Sequence, residues 1–590
     1  MPMDPTRARR NCLLFVLFCA AAVYVAAHWD ALIDPYVIND DVRQQVYWMQ
    51  QWQDPDLFPD DLLTRYAQNY VPWGVQAAYA LGALFMNPIQ FSKVVAGILF
   101  VVTAGFLFGL VLEFRNERTA AIAVCVSFFF PSFLGKITGG LAQSFGYPVL
   151  LAYLFFLARG NLLLAGVVVF LAALLNPYIF LLCLATHVLF LAVHYGGKTV
   201  DGARFPYWAT RRAAGLSPQS RPRGRGNRGA HAPPDVDLEE ARLSQQRGLR
   251  ASVILVVAGI ALMALKYVFL RPEEFGSLVT WADMVDRVEY TSAGRVAIVP
   301  VPSLASELVR PWMEFFPFLQ SEPLWGWIVA PVLAGMAFAA YRLRDGIVDL
   351  RGFRVFGYLM VASLVLHFTS YLVLMRLFIP ERYLEYSLNV FYCVILAAVI
   401  SVLGERARLR SITLWCVGLV SVIAAMRCYN IGVFDYSEQA PLYRYFGTTP
   451  KSTLIAGHPE LMDSIPTFAR RKAFVTYELS HTWMDRYWGT IKGRTFDLFH
   501  AYYAQDPKAV VEFGRKHGID YLVVREEDFD PKRIEQGRIY FEPFGSFVRE
   551  LASGRSSFAV LDKKAFPPLF VQDRIRVLKI RKQRNENHRP

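Results

Sequence analysis

Val94-Val-Ala-Gly-Ile-Leu-Phe-Val-Val-Thr-Ala-Gly-Phe-Leu-Phe-Gly-Leu-Val-Leu112 contains no charged residue. A run of this kind decides the fold, because a helix needs roughly 20 apolar residues to cross the hydrocarbon core of a bilayer. Inside lipid every backbone polar group must be satisfied within the segment, and a continuous apolar run therefore means a helix. Comparable runs recur along the 590 residues, which are 54% hydrophobic, 15% aromatic and only 19% charged. The chain reads as a polytopic membrane protein.

Working outward, about eleven spans are expected, at 12–28, 94–114, 119–134, 147–158, 161–175, 177–195, 251–270, 324–341, 355–376, 386–403 and 411–427. The first follows Arg7, Arg9 and Arg10 and has no small-residue cleavage site behind it, so it is read as a retained span rather than a signal peptide. With the N-terminus inside, the inner loops carry about two dozen Lys and Arg against about ten outside, the bias expected of cytoplasmic loops. The stretch 71–86 is apolar enough to span, but spanning would put the Arg-rich loop 196–250 outside. It is therefore placed along the outer interface, where Tyr70, Trp73 and Tyr79 suit the depth. Loop 196–250, with its Arg221-Pro-Arg-Gly-Arg-Gly-Asn-Arg228 core, reads as disordered and lying against anionic headgroups. The net charge of +13 resides largely in such loops, which excludes nucleic acid as the partner. The seven cysteines lie in or beside apolar segments and give neither a disulfide framework nor a zinc pattern.

Two domains follow: a membrane domain over 1–430 and a soluble one over 431–590 on the non-cytoplasmic side. In the latter, strands at 452–457, 472–477 and 519–524 alternate with helices at 460–470, 484–503 and 507–517. Such alternation predicts a small α/β domain with a largely parallel sheet.

The first outer loop, 29–93, holds the most chemistry. It reads Asp34-Pro-Tyr-Val-Ile-Asn39-Asp40-Asp41-Val-Arg43-Gln-Gln-Val-Tyr-Trp48-Met-Gln-Gln-Trp52. Val42, Val46, Met49 and Trp52 recur at helical spacing, which predicts an interfacial amphipathic helix with two carboxylates at its start. Helix capping explains Asp40 and Asp41 about equally well, and Asp60-Asp61 opens a second short helix to Tyr70 in the same way. Asp54-Pro55-Asp56 matches the Asp-x-Asp pattern of nucleotide-sugar enzymes, but a turn between two helices is the better reading. His187, His194, His367, His458, His481 and His500 show no ligand spacing, so no metal site is assigned. The aromatics at 483–503 recur at helical spacing and read mainly as packing.

A first span, an outer loop whose acidic pair opens a helix, and a further interfacial helix together resemble the GT-C superfamily of membrane glycosyltransferases. So does Pro380-Glu-Arg382-Tyr383-Leu-Glu385-Tyr386 in a late outer turn, which is similar to the Pro-x-Arg-Tyr element opening a late span in many members. The Trp-Trp-Asp motif of oligosaccharyltransferases is missing, which disfavours block transfer to protein asparagine. The resemblance implies a polyprenyl-phosphate-linked sugar as donor, an unidentified glycan, lipid or protein acceptor, and a single inverting displacement. It makes either Asp40 or Asp41 the general base, and position does not separate them. It assigns the lipid phosphate to cations, Arg382 first, with Arg376, Arg65 and Arg43 behind it; for Arg382 the bland alternative is an anchor paired with Glu381 or Glu385. It also implies that loop 271–323, with Asp283, Asp286, Glu289 and Arg295, covers the donor site. Lys136 is within reach of a phosphate but reads better as a snorkelling lysine. No cofactor is required, although outer carboxylates admit a divalent cation as in some relatives. A transporter or flippase, or a scaffold of an envelope-assembly complex, are the alternatives. Against a transporter stands the lack of an internal repeat, Lys266 being the best mid-span charge. No Asn-x-Ser/Thr sequon occurs, which favours a bacterial inner membrane.

Overall fold

The computed structural model describes residues 5–195, 238–299, 303–315, 350–373, 376–406, 412–555 and 557–580. Among these, six helices are long and apolar enough to cross a membrane, and seven if one bent pair counts as a single span. They include Pro5–Ala27, Pro88–Leu112, Pro177–Tyr195, Leu350–Leu372 and Glu381–Arg406. The expected span 324–341 lies outside the described residues. The chain is an integral membrane protein.

Local chemistry sets the helix starts. Asn87 and Asn176 each precede a proline and accept from the backbone N–H two or three residues on, at 2.8 and 3.1 Å. Pro88 and Pro177 then occupy the first helical position, where a missing N–H costs nothing. Asn116 and Asn161 cap two further helices by the same device. Phe18, Ile98, Ile254, Val365, Leu372 and Met426 are exposed on these helices and form the lipid-facing side. Between helices the contacts are close and often polar. A Cβ on Gly166 would come within 2.7 Å of the Ser252 backbone, the approach that small residues permit in membranes. Asn389 donates to Ser132 and Tyr147 at 2.8 and 2.7 Å.

Several expectations are corrected. The span drawn at 119–134 is two helices, Glu117–Phe129 and Pro131–Ile137, bent by 73°; Pro131 has no N–H to continue the first ladder. Lys136 therefore sits on a helix, not in a loop. The Arg-rich inner loop ends sooner than expected, because residues 238–250 already belong to the helix Leu238–Ala264. Residues 71–86 form a helix over Trp73–Gly82, ten residues, or about 15 Å, half of what a span requires. Leu81, Leu84 and Phe85 beside it are exposed, as on an interface helix, whereas Tyr79 is fully buried and donates to the Gly139 and Gly140 carbonyls. The amphipathic helix predicted from Asp40 to Trp52 is broken into Val42–Gln45 and a tighter turn over Tyr47–Trp52. It is buried on nearly every side, because the C-terminal region packs over it; Gln50 donates to Thr467 O at 3.1 Å.

The C-terminal region holds a five-stranded sheet ordered β4-β3-β5-β7-β6, with β3 Leu454–Gly457, β4 Lys472–Ala473, β5 Tyr521–Arg525, β6 Phe570–Gln572 and β7 Ile575–Lys579. Only β4-β3-β5 is parallel. The antiparallel hairpin β6–β7 turns at Asp573 with φ 49° and makes the sheet mixed. Helices Asp485–Tyr502 and Pro507–His517 flank the sheet as predicted. A small two-stranded sheet, β1 Val37–Ile38 with β2 Phe434–Asp435, ties the first outer loop to the start of this region.

Candidate active site

The site lies where the first outer loop, the segment after the bent helix, the late Pro-Glu-Arg-Tyr turn and the C-terminal region meet. Gly139 and Gly140 take φ of 92° and 65°, and a Cβ on Gly139 would collide with Asn39 at 2.8 Å. That glycine pair lets the Asn39-Asp40-Asp41 turn sit down on the membrane helices. Asn39 Nδ2 donates to Gly432 O at 2.6 Å, while its Oδ1 accepts from the Asp41 N–H at 3.1 Å.

Asp41 does not cap the helix that follows it. Its Oδ2 accepts from Gln143 Nε2 at 3.0 Å and its Oδ1 accepts from Gln44 Nε2. Asp61 is the contrast, since its Oδ2 accepts from the Thr64 N–H and hydroxyl at 2.9 and 2.8 Å and does cap its helix. Burial, and next the charge of Asp40, raise the Asp41 carboxyl above the ordinary carboxylate range; the Arg382 charge, Gln44 and the Lys136 charge oppose the rise. Asp40 Oδ1 instead accepts from the Asp41 N–H at 3.0 Å, and its charge acts on Arg43 and Tyr436.

Arg382 is not paired with either glutamate. Glu381 binds Arg310 at 3.3 Å and Glu385 binds Lys136 at 3.1 Å. The Arg382 guanidinium lies 5.0 Å from the Tyr178 ring centroid, and among the described residues no carboxylate reaches it within ion-pair distance. Asp41, Arg382, Lys136 and the Glu385 paired with Lys136 thus form one electrostatic group.

The other predicted cations and acids go elsewhere. Arg43 is buried between Asp463 and Glu478 at 3.8 and 3.6 Å, with its guanidinium 4.2 Å from the Tyr436 ring centroid. Arg65 pairs with Glu274 at 3.1 Å on the surface, and Arg376 is exposed. Within 271–299, Asp283 caps its own turn at Thr280, Asp286 is exposed, and Glu289 is buried against Lys492 at 2.6 Å. Only Arg295 of that group reaches the site's edge, at 3.8 Å from Glu478. This stretch is held on the C-terminal region, with Val279 N donating to Trp483 O at 3.0 Å and Tyr290 OH to Thr482 O at 2.7 Å. Asp54 and Asp56 form a turn held by Lys451, at 2.5 and 3.4 Å. Lys266 donates to Val71 O at 2.5 Å beside the Trp73 ring, an anchor rather than a free mid-span charge. Tyr487, Trp488, Phe499, Tyr502 and Tyr503 are buried packing. Among the described residues no three His, Cys, Asp or Glu side chains gather to hold a metal ion.

Sequence reading missed Gln44, Gln143, Tyr178, Asp463 and Glu478. Gln44 had a signal, standing three residues after Asp41 on a helix start. The others are brought in by long-range packing.

No family model matches the sequence, and no curated protein matches it. Solved structures do. ArnT from Cupriavidus metallidurans matches in the apo state at 12% identity over 97% of this chain and 98% of that one, with a TM-score of 0.50. The same protein bound to undecaprenyl phosphate matches at 12% identity over 96% and 98%, again with a TM-score of 0.50. The Archaeoglobus fulgidus oligosaccharyltransferase in complex with zinc and sulfate matches at 12% identity over 91% and 70%, with a TM-score of 0.48. The likeness to ArnT spans both chains almost end to end, membrane helices and C-terminal region together, and by it this chain has the GT-C fold.

Proposed function

We propose that the protein is an integral membrane glycosyltransferase that moves a sugar from a polyprenyl-phosphate carrier to an acceptor hydroxyl on the outer side of a bacterial inner membrane, with its N-terminus cytoplasmic. The observation that carries this reading is the group formed by Asp41, Arg382 and Lys136 on the GT-C fold. Asp41 is held by two amides and lies within electrostatic reach of the half-buried Arg382 guanidinium, which among the described residues has no carboxylate within ion-pair distance.

In the reaction, Asp41 takes the proton of the acceptor hydroxyl as its oxygen attacks the anomeric carbon. The bond from that carbon to the phosphate oxygen breaks on the opposite face, so configuration inverts. The electron pair leaves with the polyprenyl phosphate, whose charge falls beside Arg382, with Lys136 next to it. Asp40 and Arg43 support the turn that holds Asp41 rather than touching either substrate. An undecaprenyl carrier is the first choice, because ArnT, of the same fold, has been solved with undecaprenyl phosphate.

The purified chain, given a panel of undecaprenyl-phosphate sugars and envelope extract, is expected to release undecaprenyl phosphate. Asp41→Asn should abolish the release. Full release by that variant would remove Asp41 as the base. A wild type inert with every donor, whose Asp41→Asn variant also rescues a deletion strain, would move a transporter to the front.

A further inference from the structure

The C-terminal region brings one more group to Asp41. After β4 the chain leaves the sheet and carries Glu478 down to the first outer loop. The Glu478 backbone N–H donates to Asp463 Oδ1 at 2.9 Å, which joins the two acids. Arg43, from the first outer loop, reaches Asp463 at 3.8 Å and Glu478 at 3.6 Å. Arg295 reaches Glu478 at 3.8 Å from a third side and is fixed by the Tyr477 carbonyl at 3.2 Å. The amide of Gln44 stands between Glu478 and the catalytic turn. The same Nε2 that donates to Asp41 Oδ1 also donates to Glu478 Oε2 at 3.4 Å. Two carboxylates face that amide, so its NH2 must point at them, and its orientation is set by charge.

We propose that Glu478 is a positioning residue for Asp41, acting through Gln44, so that the C-terminal domain completes the active site when it seats on the first outer loop. This rests on reading Asp41 as the general base. Glu478 does not touch substrate; it fixes the amide that aims the Asp41 carboxylate, and its charge acts on Asp41 across that amide. The charged groups facing Glu478 are Asp463, Asp41, Arg43 and Arg295. Those facing Asp41 are Asp40, Arg382, Lys136 and Glu478. Burial and the two neighbouring carboxylates raise the proton affinity of Glu478, as the loss of solvation by an acid in such a cluster requires.

The test needs no sugar donor. An Asp41→Cys variant of the full chain in nanodiscs is alkylated with iodoacetamide between pH 6 and 10. Peptide mass spectrometry reads position 41 apart from the seven native cysteines. Adding Glu478→Gln should lower the half-maximal pH by about one unit, because a negative charge a few ångströms away is removed. Adding Gln44→Leu should raise it, because the donor to the thiolate is lost. Glu478→Asp should restore the original profile. An unchanged profile in Glu478→Gln, or a shift there without one in Gln44→Leu, overturns the coupling. If Glu478→Gln fails to fold, Glu478→Met is read in its place, with the same downward shift expected and an unchanged profile overturning the coupling. The outcome is independent of whether undecaprenyl phosphate is released, so the proposal and the transferase reading fail separately.

Discussion

Asp40 and Asp41 are adjacent and chemically alike, yet their surroundings differ. Asp41 is held between Gln44 and Gln143 and feels the Arg382 charge, whereas Asp40 accepts from the Asp41 N–H and its charge acts on Arg43. Asp41→Asn is therefore expected to lower the transfer rate by about 10²–10⁴-fold, the range for losing a general base, and Asp40→Asn by much less. The pH profile checks the same assignment. Only ionised Asp41 accepts a proton, so the rate should fall as pH drops through its raised pKa, above the ordinary value of about 3.9. Asp40→Asn removes one cause of that rise and should move the acid limb to lower pH. Arg382→Ala should cost about 10²–10³-fold in kcat, as for removal of one preorganised donor to developing charge. Arg382→Lys should recover little, because an ammonium cannot both lie against Tyr178 and present a fork to phosphate.

At the scale of elements, the turn after the bent helix is decisive. Gly140 has φ 65°, and a Cβ there would meet Ser92 O at 2.5 Å and Val95 Cγ1 at 2.3 Å. Gly140→Ala should destabilise the chain by about 1–3 kcal/mol, read as a lowered Tm in detergent. It should also cut transfer, because Gln143 is three residues downstream and holds Asp41. Asn-Pro at 87–88 and 176–177 marks a helix start in two adjacent residues, a local signal that the span expected from residue 94 passed over. The break at Pro131 was equally visible as a proline, but whether it kinks a span or turns it by 73° depends on what packs against both halves. The split of the first outer helix at Val46 had no local sign. Its periodicity suits an interface helix, and the C-terminal region buried it instead.

At the scale of the whole molecule, the first outer loop and the C-terminal region are joined by the β1–β2 pairing, by Asp54 with Lys451 and Arg470, and by Arg43. Arg43→Ala would leave Asp463 and Glu478 without one of their two cations. A loss of about 3–5 kcal/mol is expected from breaking such a buried group, measured by thermal unfolding. That loss should shrink in acid, where the two carboxyls are protonated. Burial raises the proton affinity of both acids in the folded chain, helped at Glu478 by the Asp463 and Asp41 charges and at Asp463 by the Glu460 charge. Their stabilising contribution is then complete below the unfolded carboxyl range of about 4 and is lost as pH rises through their higher folded values. Tm should accordingly fall on raising the pH across that window, and Glu478→Gln should flatten the fall.

The sequence by itself determined that the chain crosses a membrane, and most of the described helices. These follow from local requirements, since a backbone in lipid must satisfy its hydrogen bonds within each segment. It also singled out Asp40 and Asp41, in a turn, and Arg382, in the first turn of the helix Glu381–Arg406. Tertiary structure alone decided which aspartate faces Arg382, that Glu381 and Glu385 are taken by other cations, and that Arg43 serves the C-terminal acids instead of a phosphate. It also brought Glu478 to Gln44 across 434 residues. Such pairings depend on the packing of segments far apart in the chain, and no pattern within a single segment encodes them.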